Sequence, residues 1–148
     1  MREVFRSNSE AETLAIAWEF AGRLTPGTVV SLAGELGVGK TVFARGICKA
    51  LGASGEVTSP TFTLIHEHRV GGLDIYHMDF YRLENPKEIL DIGVEDLLYG
   101  NGICLVEWAE NMGGLFPGTA IKVAIEHGGG QKRIITISTP EESHGEDG

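Results

Sequence analysis

The sequence predicts a single α/β domain in which a mixed β-sheet is flanked by helices, and three adjacent features carry that expectation. Thr28 to Ala33 is a short run with two valines and a leucine, the composition of a buried strand. The glycine-rich segment Gly34-Glu35-Leu36-Gly37-Val38-Gly39-Lys40-Thr41 follows it directly. Beyond that segment Phe43, Ile47, Ala50 and Leu51 recur at helical spacing, and Gly52 is placed as a C-terminal cap. Strand, glycine loop and helix in that order form one supersecondary unit. At 148 residues the chain fits one domain, expected over 1–139. Residues 140–148, with Glu141, Glu142, Glu146 and Asp147, read as a solvated acidic tail.

The other elements follow in order. Ser9-Glu10-Ala11-Glu12 has the capping-box pattern. Ala11, Leu14, Ala15, Trp18 and Ala21 then share one helical face, expected to be the buried one, and Pro26-Gly27 ends that unit. Phe62 to Val70 and Leu73 to Phe80 read as strands joined by a turn at Gly71-Gly72. Asn85-Pro86-Lys87-Glu88 starts a helix, with Asn85 as cap and Pro86 in the first position, interrupted near Gly93. Ile103 to Val106 is all apolar, as a central strand should be, and Ala120 to Glu126 with Arg133 to Thr139 form a last hairpin around Gly128-Gly129-Gly130.

The glycine segment satisfies G-x-x-x-x-G-K-[ST], which makes the expected fold P-loop NTPase-like. Glycines allow successive N–H groups to turn inward and leave no side chain in the way of a phosphate. The helix that starts at the end of the loop adds its partial positive charge. Lys40 would reach the β- and γ-phosphates of ATP and the Thr41 hydroxyl would ligate Mg2+. As an exposed loop side chain, Lys40 is expected to contribute little to the core. A second Mg2+ residue is expected at the end of a neighbouring strand. Glu107, after Ile103-Cys104-Leu105-Val106, is favoured over Asp79, which follows Ile75-Tyr76-His77-Met78.

Composition narrows the alternatives. Twelve basic against 21 acidic residues give a net charge of -9, so the chain is not expected to grip nucleic acid by itself. The start, Met1-Arg2-Glu3-Val4-Phe5-Arg6, lacks an apolar leader, and no run is long enough to span a bilayer; a cytoplasmic protein without membrane contact is expected. Cys48 and Cys104 read as buried thiols in a reducing compartment. His66, His68 and His77 read as strand histidines rather than zinc ligands. No G-x-S-x-G elbow occurs, which disfavours a serine hydrolase. Trp108, beside Glu107, is left open between core packing and shielding a ligand.

With the glycine segment, Ser59-Pro60-Thr61-Phe62, His77-Met78-Asp79-Phe80-Tyr81-Arg82-Leu83 and Glu107-Trp108 in order, the chain resembles the TsaE (YjeE) family from about Ser9 to Thr139. These are the ATPase subunits of bacterial tRNA threonylcarbamoyladenosine biosynthesis. The resemblance implies a mixed sheet with helices on both sides, weak ATP hydrolysis by the isolated chain and assembly with TsaD-like and TsaB-like proteins. Those partners would modify adenosine 37 of ANN-decoding tRNAs, with tRNA met only through the complex and the ATP cycle allowing repeated turnover. By position it makes Lys40 and Thr41 the phosphate and magnesium residues, Glu107 the second magnesium residue and Asp79 a catalytic or switching carboxylate. Leu36, Gly37, Val38 and Gly39 would cradle phosphates, Thr61 would face the γ-phosphate, and Glu10, Glu110 and Arg133 would border the nucleotide, Arg133 with its guanidinium laid on adenine or ribose. Glu35 occupies a position that is often Asp in relatives, a minor departure that should not disturb the backbone cradle. Two other functions share the motif: a small-molecule kinase and an ATP-dependent interaction module. The kinase reading lacks an arginine-rich lid, since only Arg45, Arg69, Arg82 and Arg133 follow the loop.

Overall fold

The computed structural model describes residues 1–35, 37–53, 65–81 and 93–140. Leu36, the Ser59-Pro60-Thr61-Phe62 block, the Asn85-Pro86 helix start and the acidic tail beyond Pro140 lie outside them. Among the described residues the elements are β1 (Arg2–Ser7), α1 (Glu10–Ala21), β2 (Val29–Ala33), α2 (Lys40–Ala50), β3 (Ile65–Val70), β4 (Leu73–Asp79), α3 (Val94–Leu98), β5 (Ile103–Glu107), a 3-10 helix (Ala109–Leu115), β6 (Ile121–His127) and β7 (Arg133–Ser138).

The described strands form one mixed sheet in the order β1-β7-β6-β2-β5-β4-β3. Its centre is parallel: β2 pairs with β5 and β6, and β5 pairs with β4. The hairpins β3–β4 and β6–β7, with β1 along β7, make the antiparallel flanks. Gly71 and Gly72, at φ 56° and 87°, supply the two left-handed residues of the β3–β4 turn.

Alternation along the central strands feeds two cores. Val30, Leu32, Ile75, Ile103 and Leu105 meet Ala17 and Phe20 of α1 and Phe43 and Ile47 of α2 on one side. Val29, Met78, Cys104 and Val106 meet Val94 and Leu98 of α3 and Met112 of the 3-10 helix on the other. Both central faces are covered, so β5 is buried at every residue, and its uninterrupted apolar run is the mark of such a strand. Cys48 and Cys104 are free and buried, and burial pushes their thiols up to about 11 and about 12.

Ser9 caps α1 in an extended conformation, and its hydroxyl accepts the Glu12 N–H at 3.1 Å. Glu12 reaches back to the Asn8 N–H at 2.7 Å, one residue earlier than the usual box. The buried face of α1 matches the expected one only at Ala21, with Leu14 half-buried. Ala11, Ala15 and Trp18 are exposed, Trp18 at 58%, and the inward residues are Thr13, Ala17, Phe20 and Ala21. Two local contacts set this phase. Thr13 is a tolerable core residue because its hydroxyl meets that of Ser7 at 2.7 Å. Ala17 lies against Gly46 of α2, where an added Cβ would stand 2.8 Å from the Ala17 Cβ.

α2 ends as expected: Gly52 has φ 106°, and N–H bonds from Gly52 to Lys49 O and Ala53 to Cys48 O close a Schellman motif. β1 has no counterpart in the sequence reading. Of its half-buried or buried residues, Glu3, Phe5 and Ser7, only Phe5 is a large apolar group, too little for period-two patterning to register. Glu3 instead forms a two-pronged pair with Arg23.

The α1–α2 contact gives a first prediction. Gly46→Val forfeits the close approach to Ala17 and should cost roughly 2 kcal/mol or more through overpacking, read as a lowered urea midpoint. Ala15→Val, at an exposed position of α1, should stay within about 0.5 kcal/mol.

Candidate functional site

Parallel pairing gathers one edge. In register, Leu32 lies opposite Glu107 and Asp79 opposite Glu107, so the carboxyl ends of β2, β5 and β4 sit side by side. Open α/β sheets bind ligands at this edge. The glycine loop leaves β2 here. Gly34, at φ 146°, passes so close to β6 that a Cβ would fall 2.5 Å from Ile125 O. Gly37 and Gly39, at φ 78° and 116°, carry the loop over to the first turn of α2, and beyond their own chain neighbours no atom of the described residues lies within 4 Å of where their Cβ would be. Between them Val38 is 1% exposed and anchors the loop in the core.

Arg133 fastens that loop to the β6–β7 hairpin. Its Nε donates to Val38 O at 2.8 Å, and its Nη1 donates to Gly130 O and Lys132 O, each at 2.9 Å. Five N–H donors in a rigid plane suit bridging several carbonyls, which an ammonium would not reproduce.

Lys40 is 5% exposed, which corrects the expectation of an exposed loop side chain. Its Nζ stands 4.1 Å from the centroid of the Trp108 ring. Trp108 reaches this place from a left-handed backbone, φ 61°, directly after β5, and its ring also meets Tyr81 at 5.0 Å between centroids. A non-glycine residue in that region costs of order 1 kcal/mol and persists where surroundings hold it. Of the two readings the sequence left open, core packing is seen: half-buried, Trp108 packs against the core formed with α3 and the 3-10 helix, and its ring also stands beside Lys40.

Glu107 is 3% exposed and meets the fully buried His77, Nε2 to Oε2, at 2.7 Å. Asp79 accepts the Tyr81 N–H at 3.0 Å. Burial pushes the Asp79 carboxyl above its ordinary 3.8; the Tyr81 N–H opposes this, the Glu107 charge adds to it, and His77 and Lys40 draw it back.

Two cavities share the loop. One of about 240 Å³ is lined by Gly37, Gly39, Lys40, Thr41, Val42, Asp79 and Glu107. Another of about 250 Å³ has Glu10, Thr13, Val38, Gln131 and Arg133 around the same Gly37, Gly39 and Val42. The structure thus brings together Lys40, Thr41, Asp79 and Glu107 on one side of the loop and Glu10 and Arg133 on the other. Glu110 is exposed on the 3-10 helix and lines neither. Leu36 and Thr61 lie outside the described residues.

Sequence reasoning passed over Val42, Thr13, Gln131 and the tie from His77 to Glu107. His77 had a signal, two residues before Asp79 and hence on the same strand face; Gln131, in a hairpin turn, had none. His66 and His68 lie on β3 and His77 on β4, and among the described residues no three His, Cys, Asp or Glu side chains cluster in a way that could hold a metal ion. No helix among them is long and apolar enough to cross a membrane.

Fold and loop define the class: an α/β protein with the P-loop NTPase arrangement of strand, glycine loop and helix. Residues 7–135 match the family model described as "Threonylcarbamoyl adenosine biosynthesis protein TsaE". The chain is 41% identical over 134 residues to the tRNA threonylcarbamoyladenosine biosynthesis protein TsaE of Bacillus subtilis, covering 90% of this chain and 84% of that one. It is 42% identical over 132 residues to the protein of that name from Rickettsia bellii, covering 88% and 91%. The crystal structure of Bacillus subtilis YdiB superposes with a TM-score of 0.81 at 35% identity, over 94% of this chain and 86% of that one. The chain belongs to the TsaE family.

Asp79 gives a signed prediction for the metal-free protein. Its folded pKa lies above the ordinary value, so the fold favours the protonated acid and loses that contribution as pH rises through the folded pKa. Asp79→Asn keeps an acceptor for the Tyr81 N–H and should raise the melting temperature at neutral pH. The gain should fade as pH falls through the folded pKa and be gone below 3.8, the ordinary value for this carboxyl. A lower melting temperature for the variant at neutral pH would contradict the assignment.

Proposed function

We propose that this chain binds ATP with Mg2+ and hydrolyses it as the ATPase subunit of a cytoplasmic tRNA-modifying assembly. In that assembly TsaD-like and TsaB-like proteins carry out threonylcarbamoyl transfer to adenosine 37 of ANN-decoding tRNAs, and the ATP cycle allows multiple turnover. The observation that carries the reading is the convergence of Gly37, Gly39, Lys40, Thr41, Asp79 and Glu107 on one cavity at the carboxyl edge of parallel strands. Family membership supplies the pathway.

The residues fit a triphosphate and a divalent cation. Left-handed Gly37 and Gly39 leave open the space that a Cβ would take, and phosphate oxygens need that close approach to backbone N–H groups. Lys40 supplies a point charge toward the β- and γ-phosphates, and the α2 N-terminus adds its dipole. The Thr41 hydroxyl and the Glu107 carboxylate are oxygen donors of the hard type that Mg2+ prefers. Bound Mg2+ would neutralise charge developing on the transferred phosphoryl group. Asp79, whose burial favours the proton, is placed to orient or deprotonate a water. On the other side of the loop, Glu10, Thr13, Gln131 and Arg133 would border the nucleoside. A net charge of -9 supports contact with tRNA through partners rather than by this chain alone.

Lys40→Ala removes a charge-assisted contact worth about 1.5–3 kcal/mol and should weaken Mg-ATP binding roughly 10- to 100-fold. The loss of its contact with Trp108 should lower stability by only about 1 kcal/mol. Wild-type affinity in that variant would contradict the phosphate-loop reading. Glu107→Ala should reduce Mg2+-dependent hydrolysis about 100-fold or more while nucleotide affinity without Mg2+ stays within a factor of about three. Counting modified tRNA over many turnovers by a reconstituted assembly, with this chain present, absent or carrying Lys40→Ala, tests the whole scheme. Undiminished turnover without the chain would overturn it, and phosphate transfer to a metabolite would favour the kinase alternative.

A further inference from the structure

Glu107 holds its place through a group on another strand. The His77 ring lies wholly inside the protein, one strand away and thirty residues earlier in sequence, with Nε2 2.7 Å from Glu107 Oε2. A carboxylate only accepts, so Nε2 carries the proton. Nδ1 is also buried and has no hydrogen-bond partner among the described residues. Among the described residues, the hydrogen bond that this imidazole makes is therefore directed at Glu107.

The backbone fixes both ends of the contact. His77 lies opposite Leu105 and Asp79 opposite Glu107 in the parallel β4–β5 ladder, so the imidazole stands one pleat below the carboxylate on the same sheet face. Ile75, on that face of β4, and Leu105, on that face of β5, belong to the core beneath α2. The ring cannot swing toward solvent without leaving that core. Glu107, by contrast, has a flexible side chain with several rotamers, and it lines the cavity beside Thr41.

We propose that His77 is a positioning residue: by holding Oε2 of Glu107 toward the protein interior, it commits the other carboxylate oxygen to the cavity and so sets the affinity of the site for the cation of Mg-nucleotide. The inference rests on the phosphate-loop reading above and extends it to a residue that touches neither nucleotide nor cation. Hydrogen bonds that orient a ligating carboxylate from behind typically change metal affinity 10- to 100-fold when removed.

The test measures binding of a fluorescent ATP analogue to the full chain, first in EDTA and then titrated with Mg2+. His77→Leu fills much of the ring's space without a donor and should raise the Mg2+ concentration needed for half-maximal effect about 10- to 100-fold, leaving EDTA affinity within about two-fold. His77→Gln places an amide N–H near the former Nε2 and should restore the midpoint to within about three-fold of wild type. His77→Asn, one methylene shorter, should not; this pair decides the matter even if the leucine variant fails to fold. In a Glu107→Gln background, His77→Leu should add nothing, because its effect passes through Glu107.

Equal Mg2+ midpoints in wild type, His77→Leu and His77→Asn would overturn the proposal, as would an undiminished His77→Leu effect in the Glu107→Gln background. A purely packing role would lower melting temperature in all three variants without separating glutamine from asparagine in the Mg2+ titration. Failure of the wild-type chain to bind the nucleotide at any Mg2+ concentration would instead bring down the phosphate-loop reading itself.

Discussion

Burying charge at the end of a sheet is the constraint around which the rest of this molecule is organised. Lys40 occupies the first position of α2, where the helix dipole repels a cation, and it is also nearly sealed from water. Both terms oppose it. What offsets them is the face of Trp108 at 4.1 Å and the two acids, Asp79 and Glu107, that line the same cavity. The acids are in turn held by neighbours: Glu107 by His77, and Asp79 by the Tyr81 N–H. The parallel ladder, the left-handed turn at Trp108 and the loop anchored by Val38 all serve this arrangement. The result is polarised, positive at the loop and negative at the strand ends, as a polyanion carrying a divalent cation requires.

The parts of this arrangement that could be read from the sequence are the local ones. A glycine loop between an apolar strand and an amphipathic helix is contiguous, so its spacing already specifies backbone conformation. The same is true of the Gly71-Gly72 turn and of β5, whose unbroken apolar run follows from cover on both faces. What could not be read depends on register. That Asp79 lies opposite Glu107, and that His77 reaches Glu107 across thirty residues, follows from β4 pairing parallel to β5, which no short window of residues encodes. The misjudged face of α1 belongs here too. Ala11, Ala15 and Trp18 have the periodicity of a buried stripe, yet tight contact between Ala17 and Gly46 and the Ser7–Thr13 hydroxyl pair turn the helix to another phase. Apolar periodicity identifies a helix more securely than it identifies which side is covered.

Arg133 has a task in the structure that its residue type alone did not announce. From sequence, its planar guanidinium is matched to a base or a ribose. In the structure its Nε and Nη1 donate to three carbonyls, one of them in the glycine loop. These contacts use the edge of the guanidinium plane, whereas the expected stacking would use its faces. The placement has a consequence for the loop. Val38 is held through its side chain by the core and through its carbonyl by Arg133, so the protein itself shapes the backbone between Gly37 and Gly39. A loop ordered in advance spares binding the conformational entropy of ordering it.

The same inventory bears on how fast such a site would work alone. Among the described residues that line the phosphate-side cavity, Lys40 is the one cation, set against Asp79 and Glu107. Transfer of a phosphoryl group spreads negative charge over its equatorial oxygens, and enzymes that do it quickly commonly add an arginine beyond the loop lysine, worth about 10³–10⁵ in rate. Arg133 is committed to the opposite side of the loop, and Arg45 stands 3.7 Å from Glu10, which lines the same second cavity as Arg133. Arg82 lies outside the described residues. If the cavity holds a triphosphate and a cation as proposed, it has little positive charge in reserve for the transition state. That balance agrees with the proposed division of labour, in which this chain alone hydrolyses ATP slowly and the assembly around it makes use of the cycle.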